Sequence, residues 1–278
     1  MKNISAFLTQ HPVFTREELV AFLVIKGTIN TNTQTAIIQY HIKQGHIIRI
    51  KSGLFASIPA GSNPNTHPVD PYLIAGKAAH DAVLAYHTAL EYHGLAYTVF
   101  SWFTFCTNKR QHPFSFRDYT FGPVLFPMPL RFKGDNYDEF FATETVKRQG
   151  IPIKVTNIER TFVDVLDQPH SHYASSWEEI CRSIESIAVL NLDLVIQYAQ
   201  ILGKVTTIAK VGYFLEKMRD KLGVTENQLK ILEKDTPKQP IYLSSLPIRK
   251  GGIFIKRWNL IIPEEIIKQQ WKEPNYDA

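Results

Sequence analysis

Residues 13–55 constrain the fold of this chain more than any other stretch, because they hold two helical patterns followed by a hairpin pattern. Thr15 and Glu18 stand three residues apart, the spacing of a capping box that satisfies free N–H groups at the start of a helix. Apolar residues then recur at helical spacing, namely Leu19, Phe22 and Leu23. Gly27 can end the helix in a left-handed conformation, so we predict a first helix between Thr15 and Gly27.

The residues after this helix predict a second amphipathic helix, capped by Asn32 or Thr33 and ended by Gly45. One side of it is expected to face the core and carries Thr35, Ile38 and Ile42. The other side is polar and carries Asn32, Thr33, Gln39, Tyr40 and Lys43. Two helices across a short turn, with a polar face on the second, are typical of a helix-turn-helix.

The end of this stretch predicts a two-stranded hairpin. Residues 47–51 form the first strand, Ser52 and Gly53 the turn, and 54–56 the returning strand. Helix, turn, helix and hairpin is the element order of a winged helix-turn-helix. Residues 1–58 contain six Lys and Arg against two Asp and Glu, and this charge gathers on the second helix and the hairpin. A phosphate backbone requires such a distribution.

The residues after the hairpin indicate a domain boundary. Residues 59–69 are rich in Pro, Gly and Asn and poor in apolar side chains, which is typical of a linker. Asp70 as a cap and Pro71 in the first turn then start a new helix. With 278 residues the chain has room for two domains. We therefore predict one domain at 1–58 and a second at 70–278.

The predicted second domain changes its pattern along the chain. A helix is expected at 83–92, and residues 98–132 are rich in aromatic residues interrupted by prolines, which predicts an antiparallel sheet. Residues 176–232 are mostly helical by periodicity. The fold class is therefore α+β, with an N-terminal winged helix and a mixed C-terminal domain that has an antiparallel sheet and a helical C-terminal half.

Composition indicates the kind of partner and the cellular compartment to expect. The net charge of +5 favours an anionic partner without identifying one. Cys106 and Cys181 stand in apolar segments, so we expect buried free thiols and no disulfide framework. No apolar run approaches the ~18 residues of a membrane span, and no signal peptide follows Lys2. We expect a cytoplasmic protein with no membrane partner.

Four sequence blocks occur in an order that resembles one known family. The hairpin IIRIKSGLF (47–55) is followed by DPYLIAGKAAHDAVLAYHTALEYHGL (70–95), IKVTNIERTFVDVLDQP (153–169) and GGIFIKRWNLIIP (251–263). The set resembles the AbiEi family, the antitoxins of the abortive-infection type IV toxin–antitoxin systems. The resemblance spans nearly the whole chain but does not extend over residues 98–150.

The resemblance implies a function for each predicted domain. It implies that the N-terminal domain binds double-stranded operator DNA and represses transcription of its own operon. It also implies that the C-terminal domain counteracts a cognate nucleotidyltransferase toxin without forming a stable complex with it. Under this interpretation the chain is not an enzyme and needs no cofactor.

The candidate DNA-contacting residues lie on the predicted second helix and on the hairpin. The helix residues can reach base edges and phosphates in the major groove, and the hairpin residues can grip phosphate or enter the minor groove. The set is Thr33, Gln39, Tyr40, Lys43, Arg49 and Lys51. The alternative is a solvated helix face followed by a solvated hairpin. The basic hairpin directly after the helix favours DNA contact.

A second basic region lies at 204–257, where twelve Lys and Arg stand against five Asp and Glu. Lys210, Lys217 and Lys221 are spaced by seven and four residues, which places them on one helical face. The simpler interpretation is a solvated helical surface. The functional one is a further nucleic-acid surface, for operator DNA or for the RNA substrate of the toxin.

Two groups of polar residues are better explained by structural roles than by catalysis or metal binding. Glu159 and Asp164 occupy different parts of one helix, so their carboxylates do not converge on a substrate, and an internal ion pair with Arg160 is expected instead. His87 and His93 are six residues apart, which separates them around a helix and disfavours a shared metal. We expect these residues to form internal hydrogen bonds and ion pairs.

The alternative function is a metal-dependent nuclease targeted to DNA by the winged helix. Asp138, Glu144 and Lys154 resemble the carboxylate–carboxylate–lysine set of such enzymes. The second carboxylate is distant from the lysine in sequence, whereas the two usually alternate on one strand. We assign no catalytic residue and no metal ligand.

Overall fold

The structure is a computed structural model that describes residues 4–131, 140–168, 176–243 and 252–269. It divides into two compact units. The first unit comprises Met1–Leu84, Ser101–Leu125 and Glu144–Val155. The second unit comprises Ala85–Phe100, Phe126–Thr143 and Thr156–Ala278. These ranges do not coincide with the predicted division at 59–69, because the strands beyond that point group with the N-terminal segment.

The N-terminal part of the first unit contains three helices and three strands. They are α1 (Ser5–Gln10), β1 (Val13–Thr15), α2 (Arg16–Ile25), α3 (Thr31–Lys43), β2 (Ile47–Lys51) and β3 (Leu54–Ser57). The strands form an antiparallel sheet in the order β1-β3-β2. Apolar side chains from the helices and the sheet share one buried cluster, which includes Phe7, Phe14, Leu23, Ile38 and Phe55. The two predicted helices and the hairpin are present.

The helix starts follow from capping side chains. Thr15 and Glu18 form the predicted capping box at α2. The cap of α3 is Asn30, whose side-chain oxygen accepts hydrogen bonds from the N–H groups of Asn32 and Thr33 at 2.9 and 3.1 Å. The predicted cap at Asn32 or Thr33 is therefore wrong. The reason is that residues 30–33 are Asn, Thr, Asn and Thr, four capping types in succession.

The remainder of the first unit is built on a six-stranded sheet. Its elements are α4 (Pro71–Gly76), β4 (Val83–Leu84), β5 (Trp102–Thr107), β6 (Phe114–Phe116), β7 (Tyr119–Leu125), β8 (Thr143–Arg148) and β9 (Ile151–Thr156). The end residues Thr143 and Thr156 fall in the second unit. The strand order is β6-β7-β5-β4-β9-β8, and β5–β7 and β4–β9 are parallel pairs. The predicted antiparallel sheet is therefore a mixed sheet.

The structure corrects one prediction near this sheet and shows contacts made by the predicted linker. The helix expected at 83–92 is a short helix, α5 (His87–Tyr92), because Val83 and Leu84 form a fully buried strand between β5 and β9. The predicted linker does not stand apart from the sheet: the Arg117 guanidinium donates hydrogen bonds to the carbonyls of Pro64, at 2.8 Å, and His67.

The second unit is mainly helical, as predicted for 176–232. Its further helices are α6 (Met128–Arg131), α7 (Ile158–Asp167), α8 (Trp177–Ser186), α9 (Leu192–Leu202), α10 (Val205–Lys217), α11 (Arg219–Leu222), α12 (Glu226–Glu233) and α13 (Glu264–Ile267). A small sheet in the order β10-β12-β11 is made by β10 (Ile241–Tyr242), β11 (Gly252–Ile255) and β12 (Leu260–Pro263), with a 3-10 turn at Lys256–Trp258. Among the described residues, none of the helices is long and apolar enough to span a bilayer.

A fully buried ion pair lies in the core of the second unit. The Arg160 Nε lies 3.4 Å from the Asp164 carboxylate, and the Tyr198 hydroxyl donates to the same carboxylate at 2.6 Å. Arg160 also donates to the carbonyl of Phe141 at 2.7 Å. Burial raises the pKa of Asp164 to about 6, although Arg160 and Tyr198 both act to lower it. This is the internal role that we expected for Arg160 and Asp164. Cys106 and Cys181 are buried and, within the described part of the chain, form no disulfide, as predicted.

Candidate nucleic-acid interface

Helix α3 has one buried face and one broad exposed face. Gln34, Ile37 and Ile38 are buried. The buried Gln34 amide donates to the carbonyls of Thr28 and Ile29 at 2.9 and 3.3 Å, which satisfies its polar atoms in the core. Thr35 was expected on this side, but it is exposed and its hydroxyl donates to the Thr31 carbonyl at 2.9 Å.

The four candidate contact residues on α3 are all exposed. At 100° per residue, Gln39 and Lys43 lie on the stripe farthest from the core, together with Asn32. Thr33 and Tyr40 are seven residues apart and form a neighbouring stripe. The exposed face of the helix therefore presents amide, hydroxyl and ammonium groups over about three turns.

Arg16 adds a cation beside this face that the sequence pattern does not reveal. Its guanidinium donates to the Thr35 hydroxyl at 2.9 Å, which joins the start of α2 to α3. Its backbone N–H donates to the Gly53 carbonyl at 2.8 Å, at the turn of the hairpin. Arg16 thus connects α2, α3 and the hairpin. Only the exposed position of Arg16 in the first turn of α2 could have suggested this role.

The two basic residues of the hairpin occupy different environments. A register shift between Arg49 and Lys51 marks a β-bulge, and the extra residue places their side chains on opposite faces of the sheet. Arg49 is exposed and its guanidinium lies 5.8 Å from the centre of the Phe55 ring. The Lys51 ammonium instead donates to the carbonyl of Ala78 at 2.6 Å. Burial lowers the pKa of Lys51. Lys51 therefore has protein partners, whereas Arg49 remains exposed.

A cavity of about 470 Å³ adjoins the C-terminal end of α3. Its lining includes His41, His46, His67, Ser57, Leu8 and Gln149. The Nδ1 atoms of His41 and His46 are 3.1 Å apart, so one ring can donate to the other only when the acceptor is neutral. Burial lowers the pKa of His41, and electrostatic interaction with His46 lowers it further.

The two units differ in how far acidic residues balance their basic residues. The first unit has thirteen Lys and Arg against six Asp and Glu, a formal charge of +7. The second unit has eighteen against twenty, a formal charge of −2. The basic region at 204–257, of which 244–251 lie outside the described residues, is therefore balanced by acidic residues from elsewhere in the second unit.

The second basic surface expected at Lys210, Lys217 and Lys221 is not a continuous exposed surface. Lys210 is only 8% exposed, and its ammonium donates to the Leu166 carbonyl at 3.1 Å. Burial lowers the pKa of Lys210 to about 8. Lys217 pairs with the Glu185 carboxylate at 3.0 Å, and Lys221 donates to the backbone carbonyl of the same residue. The expected common face is wrong because α10 ends at Lys217, and Lys221 belongs to α11.

The polar groups considered for catalysis or metal binding have structural partners. His87 lies between two buried carboxylates, with Nδ1 3.0 Å from Glu91 and Nε2 3.2 Å from Glu179. The His93 ring is 2.8 Å from the Thr156 carbonyl. Within the described parts of the chain, His, Cys, Asp and Glu form no cluster of three or more that could hold a metal ion. Asp138, a member of the nuclease-like set, lies outside those parts.

Comparison with known proteins adds no assignment. No protein-family model matches the chain, and a search of curated proteins finds no significant match. The resemblance described above therefore rests on the order of the sequence blocks alone.

Proposed function

We propose that this chain is a winged-helix DNA-binding protein that represses its own transcription and serves as the antitoxin of a type IV toxin–antitoxin pair. The observation that carries the DNA-binding part is the exposed polar face of α3, which has Arg49 and Arg16 beside it in a unit of charge +7. Gln39 and Lys43 on this face have the chemistry that reads base edges and phosphates in a major groove.

The geometry of the N-terminal elements supports a winged-helix arrangement. Helices α2 and α3 are joined by a short turn, and the hairpin β2–β3 follows α3 at once. The hairpin is held against the start of α2 by the Arg16–Gly53 hydrogen bond, so helix and hairpin keep a fixed relation. An exposed helix with a basic hairpin at its side suits one groove and the adjacent phosphate backbone.

The antitoxin part of the proposal rests on the resemblance to the AbiEi family. We expect the second unit to counteract a nucleotidyltransferase toxin encoded next to this chain. This part of the proposal invokes no free basic surface on the second unit, because Lys204, Lys210, Lys217 and Arg257 already have partners. A neighbouring reading frame for a nucleotidyltransferase would support this part independently of DNA binding.

The DNA-binding part is tested with the double variant Lys43→Ala/Arg49→Ala and a duplex from upstream of the gene. Loss of two phosphate contacts is expected to weaken binding by at least about tenfold and to reduce the slope of log K against log salt by about 2. Lys230→Ala is the matched control, because Lys230 is an exposed lysine of the second unit. Equal binding by the double variant and the wild type would remove α3 and the hairpin from the interface.

The antitoxin part is tested by co-expression of the chain with the adjacent toxin. We expect wild type and Lys43→Ala/Arg49→Ala to rescue growth equally, while only the wild type represses a reporter driven by the upstream region. Failure of the wild type to rescue would reject the antitoxin role and leave the DNA-binding role standing.

A further inference from the structure

The first unit carries a second group of exposed basic side chains, outside the proposed winged helix. Residues 108–113, here called the basic loop, connect β5 to β6 and read Asn-Lys-Arg-Gln-His-Pro. Lys109, Arg110 and His112 are exposed. Among the residues that the structure describes, neither Lys109 nor Arg110 has a carboxylate within ion-pair distance. Both charges are therefore available to an external anion.

The start of the basic loop is fixed by a carboxylate. Asp81 accepts a hydrogen bond from the Thr107 hydroxyl at 2.6 Å and another from the Asn108 N–H at 2.7 Å. The N–H of Lys109 then donates to the Thr107 hydroxyl oxygen at 3.4 Å. These bonds hold the backbone from which Lys109 and Arg110 extend, which lowers the entropy that an anion contact must overcome.

The middle of the basic loop is attached to the hairpin through Lys51. The Lys51 ammonium donates to the Gln111 side-chain oxygen at 3.3 Å and lies 4.6 Å from the centre of the Phe114 ring. Because the bulge turns Lys51 away from Arg49, the basic loop lies on the face of the hairpin opposite to Arg49. The hairpin thus has Arg49 on one face and the basic loop on the other.

The side chains of the basic loop and the end of β7 enclose a recess of about 280 Å³. It is lined by the loop residues Lys109, Arg110, Gln111 and His112 and by the apolar residues Pro123, Val124 and Leu125, and no acidic side chain is among them. A phosphate group fits this chemistry, because Arg and Lys side chains make charge-assisted hydrogen bonds to phosphate oxygens.

We propose that the basic loop is a second phosphate-contacting element of the DNA interface, which grips the backbone beyond the hairpin on the side away from α3. The proposal rests on the DNA-binding function proposed above and extends the interface from the winged helix to the six-stranded sheet. Lys109 and Arg110 contact phosphate oxygens, and the Lys51–Gln111 hydrogen bond positions the loop. The contact is independent of base sequence.

The test compares the full-length wild type with Lys109→Ala/Arg110→Ala on the upstream duplex and on a random duplex of equal length. We expect affinity for both duplexes to fall by a similar factor, on the order of tenfold, and the salt slope to decrease by about 2, since phosphate contacts carry no sequence information. Both residues are exposed, so the melting temperature should stay unchanged.

A matched control and a shortened duplex make the test specific. Lys109→Ala alone is compared with Lys147→Ala, because Lys147 is an exposed lysine on β8, at the opposite edge of the sheet from β6. Only Lys109→Ala should reduce the salt slope, by about 1. On a duplex trimmed from the hairpin end, wild type and double variant should bind equally, because the outer phosphates are gone.

The outcomes separate this inference from the function on which it rests. If the double variant matches the wild type on the long duplex while Lys43→Ala/Arg49→Ala binds weakly, the basic loop is not part of the interface and the winged helix remains. If the wild type binds neither duplex, the DNA-binding function itself is rejected, and this inference with it. A loss restricted to the upstream duplex would overturn the assignment to phosphate and indicate base contact.

Discussion

The first unit has thirteen Lys and Arg against six Asp and Glu, whereas the second has eighteen against twenty. In the second unit many of these cations hold the fold together: Lys204 pairs with Asp167, Lys217 with Glu185, and Arg257 with three glutamates. In the first unit Lys77 and Arg148 have such pairs, whereas among the described residues Lys43, Arg49, Lys109 and Arg110 have no carboxylate within ion-pair distance. We expect the availability of these cations, rather than their number, to mark the proposed DNA surface.

Arg257 is the clearest example of a paired cation in the second unit, because its guanidinium forms ion pairs with carboxylates from two helices. Its nitrogens lie 2.9 Å from Glu216, 2.6 Å from Glu226 and 3.0 Å from Glu233. These pairs join the 3-10 turn to α10 and α12. A cation in such a network cannot also neutralise a phosphate without giving up its partners, so it belongs to the fold of the second unit.

The largest effect on stability is expected from Trp258→Ala. Trp258 lies in the same 3-10 turn as Arg257 and belongs to the second unit, so the substitution leaves the first unit unchanged. Trp258 is fully buried, and its indole N–H donates to Glu216 at 2.6 Å. Its ring packs so closely on Gly212 that an added Cβ would come within 2.2 Å of it. We expect the free energy of unfolding to fall by about 3–5 kcal/mol in chemical denaturation.

The control for this variant is Phe254→Ala, because Phe254 is exposed on the neighbouring strand β11. It should change the free energy of unfolding by less than about 0.5 kcal/mol. DNA affinity should be unchanged in both variants at a temperature where they are folded. A large loss of DNA affinity in folded Trp258→Ala would break the separation of roles between the two units.

The next largest effect is a change with pH in the free energy of unfolding, caused by Asp164 in the second unit. The pKa of Asp164 is about 6 in the folded chain, against about 3.9 in an unfolded one. Between these values the folded state holds a proton that the unfolded state has lost, so the contribution of Asp164 to stability falls as pH rises from 4 to 6. The difference between the two pKa values corresponds to about 3 kcal/mol.

Asp164→Asn removes this titration and keeps the size of the side chain. We expect the free energy of unfolding of the wild type, measured relative to this variant, to decrease by up to about 3 kcal/mol between pH 4 and pH 6.5. The comparison cancels other carboxylates such as Glu179, whose pKa is lowered by hydrogen bonds from Thr98, His87 and Ser183 despite its burial. A constant difference across this range would show that Asp164 is ionised throughout.

The sequence predicted the local structure of the first unit well where one signal dominated. The Thr15–Glu18 box and the Asp70–Pro71 start are helix starts in the structure, because each is a local hydrogen-bond pattern. The start of α3 was misplaced where four capping residues compete. Gln34 could not be predicted as a core residue, because its burial depends on two carbonyls at the preceding turn.

The features that depend on distant partners were not predictable from the sequence. Strand β4 is central only because β5 and β9 pair with it, and β9 is about seventy residues away. The bulge before Lys51 places that side chain on the face opposite to Arg49, and nothing in the residues 47–51 announces the extra residue. Of the six candidate DNA contacts, five are exposed and Lys51 is engaged elsewhere.

The smallest effect is expected from Lys217→Ala, at one of the three lysines for which the sequence predicted a second basic surface. Lys217→Ala breaks a pair with Glu185 near the surface, and such pairs contribute less than about 1 kcal/mol to stability. DNA affinity and the salt slope should equal those of the wild type, because this cation already has a partner. Lys109→Ala removes one charge of the same sign from the first unit and is the natural comparison.

If Lys217→Ala instead reduced the salt slope by about 1, the ion pair would be open when DNA binds. The second unit would then contribute phosphate contacts of its own, and paired and unpaired cations would no longer mark the two roles.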